Sequence, residues 1–266
     1  MKPYLSLRRP WLVAHRGGAG LAPENTLAAF EKAKRLGADA FELDVHLTAD
    51  GAAVVFHDED TGRLTGEPGT IAARTLREVK ALDAGFRFTL DAGRTFPFRG
   101  LGLAPPTLHE LFALYPDTRM NIEAKSSDPR LARALARVVR EAGAEDLVCL
   151  GSEDDAQGER LRALLPECCH FLPKQAATCH VMAARSPPSE GCPGGYEVAD
   201  LPHRLEGVGV IVDGTTVEYF HRLGLSVFVW TVDAEADMRE LLLVGVDGIM
   251  SDRPDLLARV LGRDGS

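Results

Sequence analysis

The stretch FELDVHLTADGAAVVFHD, residues 41–58, decides how the chain folds. A strand-like run over residues 39–46 is followed after a few residues by a second apolar run, 53–56. A parallel return needs about a dozen connecting residues or more, so the second run comes back antiparallel. Asp50-Gly51 between them is a two-residue hairpin signal. With those two as the turn, Ala49 faces Ala52, Thr48 faces Ala53 and Asp44 faces His57, which puts two titratable groups on one face.

With that run set aside as a hairpin return, eight strands remain, at residues 11–15, 39–46, 119–125, 147–151, 169–173, 208–212, 225–231 and 248–251. They alternate with helical patterns, the signature of a parallel sheet with crossover helices. Eight such strands predict an α/β fold, a (β/α)8 TIM barrel formed as one domain over residues 1–266. One helix spans 27–36, capped by Thr26 and stopped at Gly37, and others begin near Asp128, Glu153, Thr215 and Ala234. In the run 131–139 the arginines form a solvated face over an apolar stripe of Leu131, Leu135, Val138 and Val139. Residues 58–106 are glycine-rich and too long for an ordinary loop, and read as an insertion over the barrel mouth with a helix near 76–82. Phe86, Phe88, Phe96 and Phe98 alternate as in an extended segment packed on the barrel. Residues 174–201 read as a second loop-rich excursion, with no role assigned to 187–195.

The net charge of −9 disfavours nucleic acid as a partner, and no apolar run is long enough to span a membrane. Arg8, Arg9 and Pro10 interrupt the apolar residues at the N-terminus, and five cysteines without a CxxC fit a reducing compartment better than a disulfide framework. A cytoplasmic location is expected. Cys168, Cys169, His170, Cys179 and His180 match no zinc spacing and read as thiols and loop residues.

The chemistry lies at strand ends, where a barrel places its site. His15 and Arg16 end the first strand. Glu42 and Asp44, two apart, share one face of the second, and Glu123 and Lys125 repeat that spacing on the next. Three carboxylates offer only oxygen, which suits Mg2+ or Ca2+. Arg16 and Lys125 suit the oxygens of an anion, and His15 and His57 suit acid–base work near neutrality, so the set points to phosphoryl chemistry.

The residues that carry this chemistry also carry a resemblance. AHRGG and PENT at 14–26, ELDVHLTADG and VVFHD at 42–58, PTLHEL at 106–111, NIEAK at 121–125, VWTVD at 229–233 and GVDGIMSDRP at 245–254 stand in order along most of the chain. Together they resemble the glycerophosphodiester phosphodiesterases, of the phospholipase-C-like phosphodiesterase barrels. The resemblance implies metal-dependent hydrolysis of a small glycerophosphodiester to glycerol 3-phosphate and an alcohol. It implies His15 and His57 as the acid–base pair, with His15 as base and His57 as acid, and Glu42, Asp44 and Glu123 as metal ligands. Arg16 and Lys125 fall at the phosphate, and Trp230 at a pocket wall, although Trp230 also fits the barrel interior. Gly151-Ser152-Glu153 departs from the family's usual Ser-Phe, and SDRP from TDRP. A lysophospholipase D using the same site is the alternative substrate reading. A catalytically silent binding barrel is opposed by the intact residue set, and a Schiff-base aldolase by the carboxylates that keep Lys125 protonated. His46 is expected in solvent, Asn25 and Thr26 in a loop and cap, and His109, His170, His180, His203 and His221 at the surface or in loops.

Overall fold

The structure is a computed structural model that describes residues 2–186 and 191–263. Eight parallel strands build the barrel: β1 Trp11–Ala14, β2 Ala40–Leu47, β3 Arg119–Ala124, β4 Val148–Gly151, β5 Cys169–His170, β6 Val198–Pro202, β7 Ser226–Trp230 and β8 Gly248–Ser251. They are hydrogen-bonded in the order β5-β4-β3-β2-β1-β8-β7-β6, and a parallel bridge between Phe171 and Val198 joins the two ends of that row. This is the (β/α)8 barrel expected from the sequence.

Alternation along the strands divides the molecule. Trp11, Val13, Ala40, Cys149, Cys169, Val198, Phe228 and Met250 face inward and pack with Tyr4 and Leu5 of the turn Pro3–Ser6. Trp11 stands 5.3 Å from Tyr4 and 5.2 Å from Phe228, ring centre to ring centre, so aromatic side chains fill the lower barrel. Leu12, Leu43, Ile122, Leu150, Val227 and Ile249 face outward into the helix layer. The inward row continues upward as Glu42, Asp44 and His46 on β2 and as Asn121 and Glu123 on β3. Period-two geometry thus puts carboxylates at the mouth above an apolar floor. The helices begin at side-chain caps: Thr26 accepts from Ala29 N, Asp128 from Arg130 N, Asp154 from Gln157 N and Asp213 from Thr216 N. Helix Pro129–Ala142 buries Leu131, Leu135, Val138 and Val139 as the spacing requires.

Several expectations are corrected. The sixth barrel strand is Val198–Pro202, not 208–212; Gly209–Val210 instead pairs with Arg204–Leu205 in an exposed hairpin. Asp200 breaks the apolar run of the true strand, whereas Val208 and Val210 are exposed. The supposed loop at 174–201 contains the helix Lys174–Arg185 as well as that strand, and residues 187–190 of it lie outside the described residues. Cys179 and Cys192 form a disulfide, which overturns the reading of all five cysteines as free; Cys149, Cys168 and Cys169 are buried thiols.

The hairpin exists, with Ala53–Val55 antiparallel to β2, but its register is one residue off the expected one. Leu47 faces Ala53 and Val45 faces Val55, while Phe56 N donates to Asp44 O at 2.9 Å, so Asp44 opposes Phe56. The loop has three residues, Ala49-Asp50-Gly51, with Thr48 N bonded to Ala52 O and Gly51 at φ 84°. A glycine in the left-handed region is what a three-residue loop requires.

Beyond the hairpin the chain forms the short helices Gly62–Thr65, Ile71–Ala73 and Leu76–Val79 before helix Leu108–Leu114. Phe86, Phe88, Phe96 and Phe98 are not in a strand. They pack on themselves, with Phe88 edge-on to Phe98 and the Arg99 guanidinium over Phe86 and Phe96.

Candidate active site

β1 runs out into the turn His15–Gly17, where Arg16 adopts φ 50°. A non-glycine residue there is uncommon, and such strain persists only where its surroundings fix it. Arg16 N donates to Glu42 Oε2 at 2.9 Å, which ties the turn to β2. Gly17, at φ 81°, has no room for a Cβ, which would meet Ala29 Cβ at 2.9 Å; a side chain here would push helix Leu27–Arg35 away.

His15 lies between two carboxylates. Its Nδ1 is 2.7 Å from Asp252 Oδ1, at the end of β8, and its Nε2 is 3.8 Å from Glu42 Oε2. A carboxylate beside Nδ1 holds the proton there and turns Nε2 toward the mouth. Burial alone would lower this imidazole, but Glu42 and Asp252 outweigh it and raise its pKa.

Glu42, Asp44 and Glu123 each bring a carboxylate oxygen to within 4.8 Å of the others. Burial and the Asp44 charge push Glu42 up to about 8. Burial would raise Asp44 too, but Lys125 and Arg16 hold it below its ordinary value. Lys125 Nζ is 3.2 Å from Asp44 Oδ1 and 2.9 Å from Glu123 Oε2; Arg16 Nε is 3.5 Å from Asp44 Oδ2. Asn25, at φ 56°, donates from Nδ2 to Asp44 Oδ2 at 2.8 Å. Two cations set against three crowded carboxylates leave an oxygen-rich cluster that could hold a hard divalent ion.

His57 follows the hairpin strand. Its Nδ1 is 2.7 Å from Asp58 Oδ1, and its carbonyl accepts a 2.9 Å bond from His46 Nε2. Burial lowers its pKa, with Asp44 and Asp58 offsetting only part of that. Asp58 Oδ2 accepts from Arg63 Nε, and both terminal nitrogens of Arg63 bind Glu24, at 2.9 and 2.7 Å. Glu24 Oε1 also accepts from Arg16 NH1 at 2.9 Å.

The expected site residues thus gather at one end of the barrel. Trp230 ends β7, partly exposed and packed on the interior cluster, as its barrel-interior reading expects. Spacing did not reveal Asp252, Asp58, Glu24, Asn25 or Arg63, although Asp252, Asp58, Glu24 and Asn25 stand inside quoted motifs. His46 is buried rather than solvated, because it follows Asp44 on the inward face. His170 bonds the carbonyls of Leu150 and Leu165, His180 bonds Tyr219 Oη and Pro193 O, and His203 is buried; all three were expected outside. His109 and His221 pair with Glu141 and Asp247.

A barrel whose mouth joins two carboxylate-backed imidazoles to paired cations and an all-oxygen cluster has the equipment of an enzyme acting on a phosphate ester. Residues 15–256 match the glycerophosphoryl diester phosphodiesterase family, and the chain belongs to that family, which makes it a phosphoric diester hydrolase. It is 34% identical over 261 residues to the glycerophosphodiester phosphodiesterase of Caldanaerobacter subterraneus, covering 96% of this chain and 98% of that one. Among solved structures it resembles the glycerophosphodiester phosphodiesterase of Agrobacterium tumefaciens, with a TM-score of 0.72 and 29% identity over 93% of this chain and 98% of that one. It also resembles an Oleispira antarctica phosphodiesterase in complex with the product sn-glycerol-3-phosphate, with a TM-score of 0.75 and 25% identity over 95% and 97%. The family implies a divalent cation, and the acidic cluster supplies groups that can hold one. No helix among the described residues is long and apolar enough to cross a membrane.

Proposed function

We propose that this chain hydrolyses small glycerophosphodiesters to glycerol 3-phosphate and an alcohol, using a divalent cation and a histidine pair. The observation that carries this reading is the meeting of the Glu42–Asp44–Glu123 oxygens with two imidazoles, each backed at Nδ1 by its own carboxylate. The oxygen-only donor set fits Mg2+ or Ca2+, and Glu42, held up near 8 by burial and Asp44, is a carboxyl that a cation would let ionise. When bound, the cation supplies Lewis-acid charge to a phosphoryl oxygen and eases deprotonation of the attacking oxygen.

The chain's own groups do the rest. Arg16 and Lys125 hold phosphate oxygens, and Glu42, Asp44 and Glu123 would hold the ion. His15 Nε2 takes the proton from the nucleophile, and His57 Nε2 gives one to the leaving oxygen. Glu42 and Asp252 raise His15 while burial lowers His57, and a cation that screened Glu42 would lessen that difference. Trp230 walls the pocket.

A lysophospholipid is the second substrate reading, favoured by Phe86, Leu90 and Leu101, which stand exposed on the insertion. For location, the Cys179–Cys192 disulfide takes away the cysteine argument for a cytoplasmic setting. The test is a product assay on glycerophosphocholine, glycerophosphoethanolamine and lysophosphatidylcholine. Glycerol 3-phosphate from the first two supports the proposal. Lysophosphatidic acid from the third alone supports the second reading, and no product from any of them contradicts both.

A further inference from the structure

We propose that Arg63 is a positioning residue that holds His57 and Arg16 in place relative to each other, so that the insertion belongs to the catalytic apparatus. The inference rests on the hydrolysis reading for its activity readout, and the geometry stands without it. Arg63 sits on the single turn Gly62–Thr65, which is itself fixed: Gly62 N donates to Asp60 Oδ1 at 2.8 Å, Thr65 Oγ1 to Thr61 O at 2.8 Å, and Arg87 N to Leu64 O at 3.1 Å. From that turn the guanidinium reaches two loops at once. Nε serves Asp58, whose other oxygen meets His57 Nδ1, while the terminal nitrogens serve Glu24, whose Oε1 meets Arg16 NH1.

The result is one continuous chain, His57–Asp58–Arg63–Glu24–Arg16, running from an acid–base group to a phosphate-binding cation. Arg63 takes the Asp58 oxygen that His57 leaves free and both oxygens of Glu24, sharing Oε1 with Arg16. Without it each carboxylate can rotate and carry its catalytic partner along. A planar fork with donors in fixed directions suits two carboxylates at once, and a lysine ammonium does not. The Arg63 side chain is 49% exposed but its bidentate partner Glu24 only 10%, so the pair carries some stability as well. The two roles separate in the rate, because misplacing a reacting group by about 1 Å costs on the order of 100-fold.

The test compares the full chain with Arg63→Met, Arg63→Lys and, as a control, the exposed Arg77→Met, all with saturating Mg2+ and glycerophosphocholine. Arg63→Met is expected to lower kcat roughly 10- to 100-fold while KM stays within about threefold. Arg63→Lys should recover only a minor part, and Arg77→Met should match the wild type. On an Asp58→Asn background Arg63→Met should cost less than it does alone, because the limb to His57 is already broken and only the Glu24–Arg16 limb remains to be lost. In 15N-edited spectra the His57 Nδ1–H signal should be present in the wild type and broadened in Arg63→Met. If Arg63→Met fails to fold, Arg63→Lys completes the same cycle with Asp58→Asn. Activity within twofold of wild type, full rescue by lysine, strict additivity with Asp58→Asn, or an unchanged His57 signal would each overturn the proposal. A wild type that turns over no glycerophosphodiester overturns the hydrolysis reading instead, and the spectra still decide the role of Arg63.

Discussion

His15 and Asp252, 237 residues apart, meet at 2.7 Å where the first and last barrel strands run side by side. Ala14 pairs with Ser251 one step below, so strand register aims the two side chains at each other. The contact leaves Nε2 as the nitrogen free to work. Asp252→Asn keeps the shape but no longer stabilises an imidazolium or enforces the tautomer. It should lower kcat by about 10²-fold or more, with cation affinity little changed. Steady-state kinetics and cation titration check this; a variant within threefold of wild type would show that Asp252 is structural.

The two histidines should separate by leaving group. His15→Ala and His57→Ala should each cost roughly 10²-fold or more with glycerophosphocholine, whose departing alkoxide needs a proton. With a p-nitrophenyl phosphodiester, whose leaving group needs none, His57→Ala should recover and His15→Ala should not. Rescue of His15→Ala instead reverses the roles, and equal behaviour of both removes the division of labour.

Asp200 gives a pH dependence of stability apart from catalysis. It lies partly buried on β6, accepts from Asn121 Nδ2 at 2.7 Å, and its buried Oδ1 has no partner among the described residues. Burial pushes it up to about 7, with Glu123 adding to the effect and Asn121 opposing it. The folded state therefore holds a proton that the unfolded chain releases above about pH 4, so this group's contribution falls as pH rises from about 4 to 7. The loss is at most on the order of 4 kcal/mol, because the residue is only partly buried. Denaturant unfolding should show Asp200→Asn close to wild type at pH 4 and more stable at pH 8. Equal stability at both would mean the carboxyl is not displaced.

The same residue shows what the sequence makes legible. Glu42 and Asp44 could be placed because charges two apart on a strand have only a barrel mouth to occupy. Asp200 made its strand unreadable, because a carboxyl inside an apolar run looks like a break and the exposed Val208 and Val210 looked better. The hairpin was legible, but its register depended on whether Ala49 joins the loop, which composition does not decide. Pairings such as Asp252 with His15 or Arg63 with Glu24 join loops from different strands, and no local period encodes them. The Cys179–Cys192 bond was hidden by three buried thiols that made the count odd.

Chelation tests the central claim most directly. Protein stripped with EDTA, with metal removal verified by elemental analysis, should release no sn-glycerol 3-phosphate from glycerophosphocholine, and Mg2+ or Ca2+ should restore the release. Glu42→Gln and Asp44→Asn should stay folded and inactive with either ion present. Full turnover by the verified metal-free wild type would contradict the account.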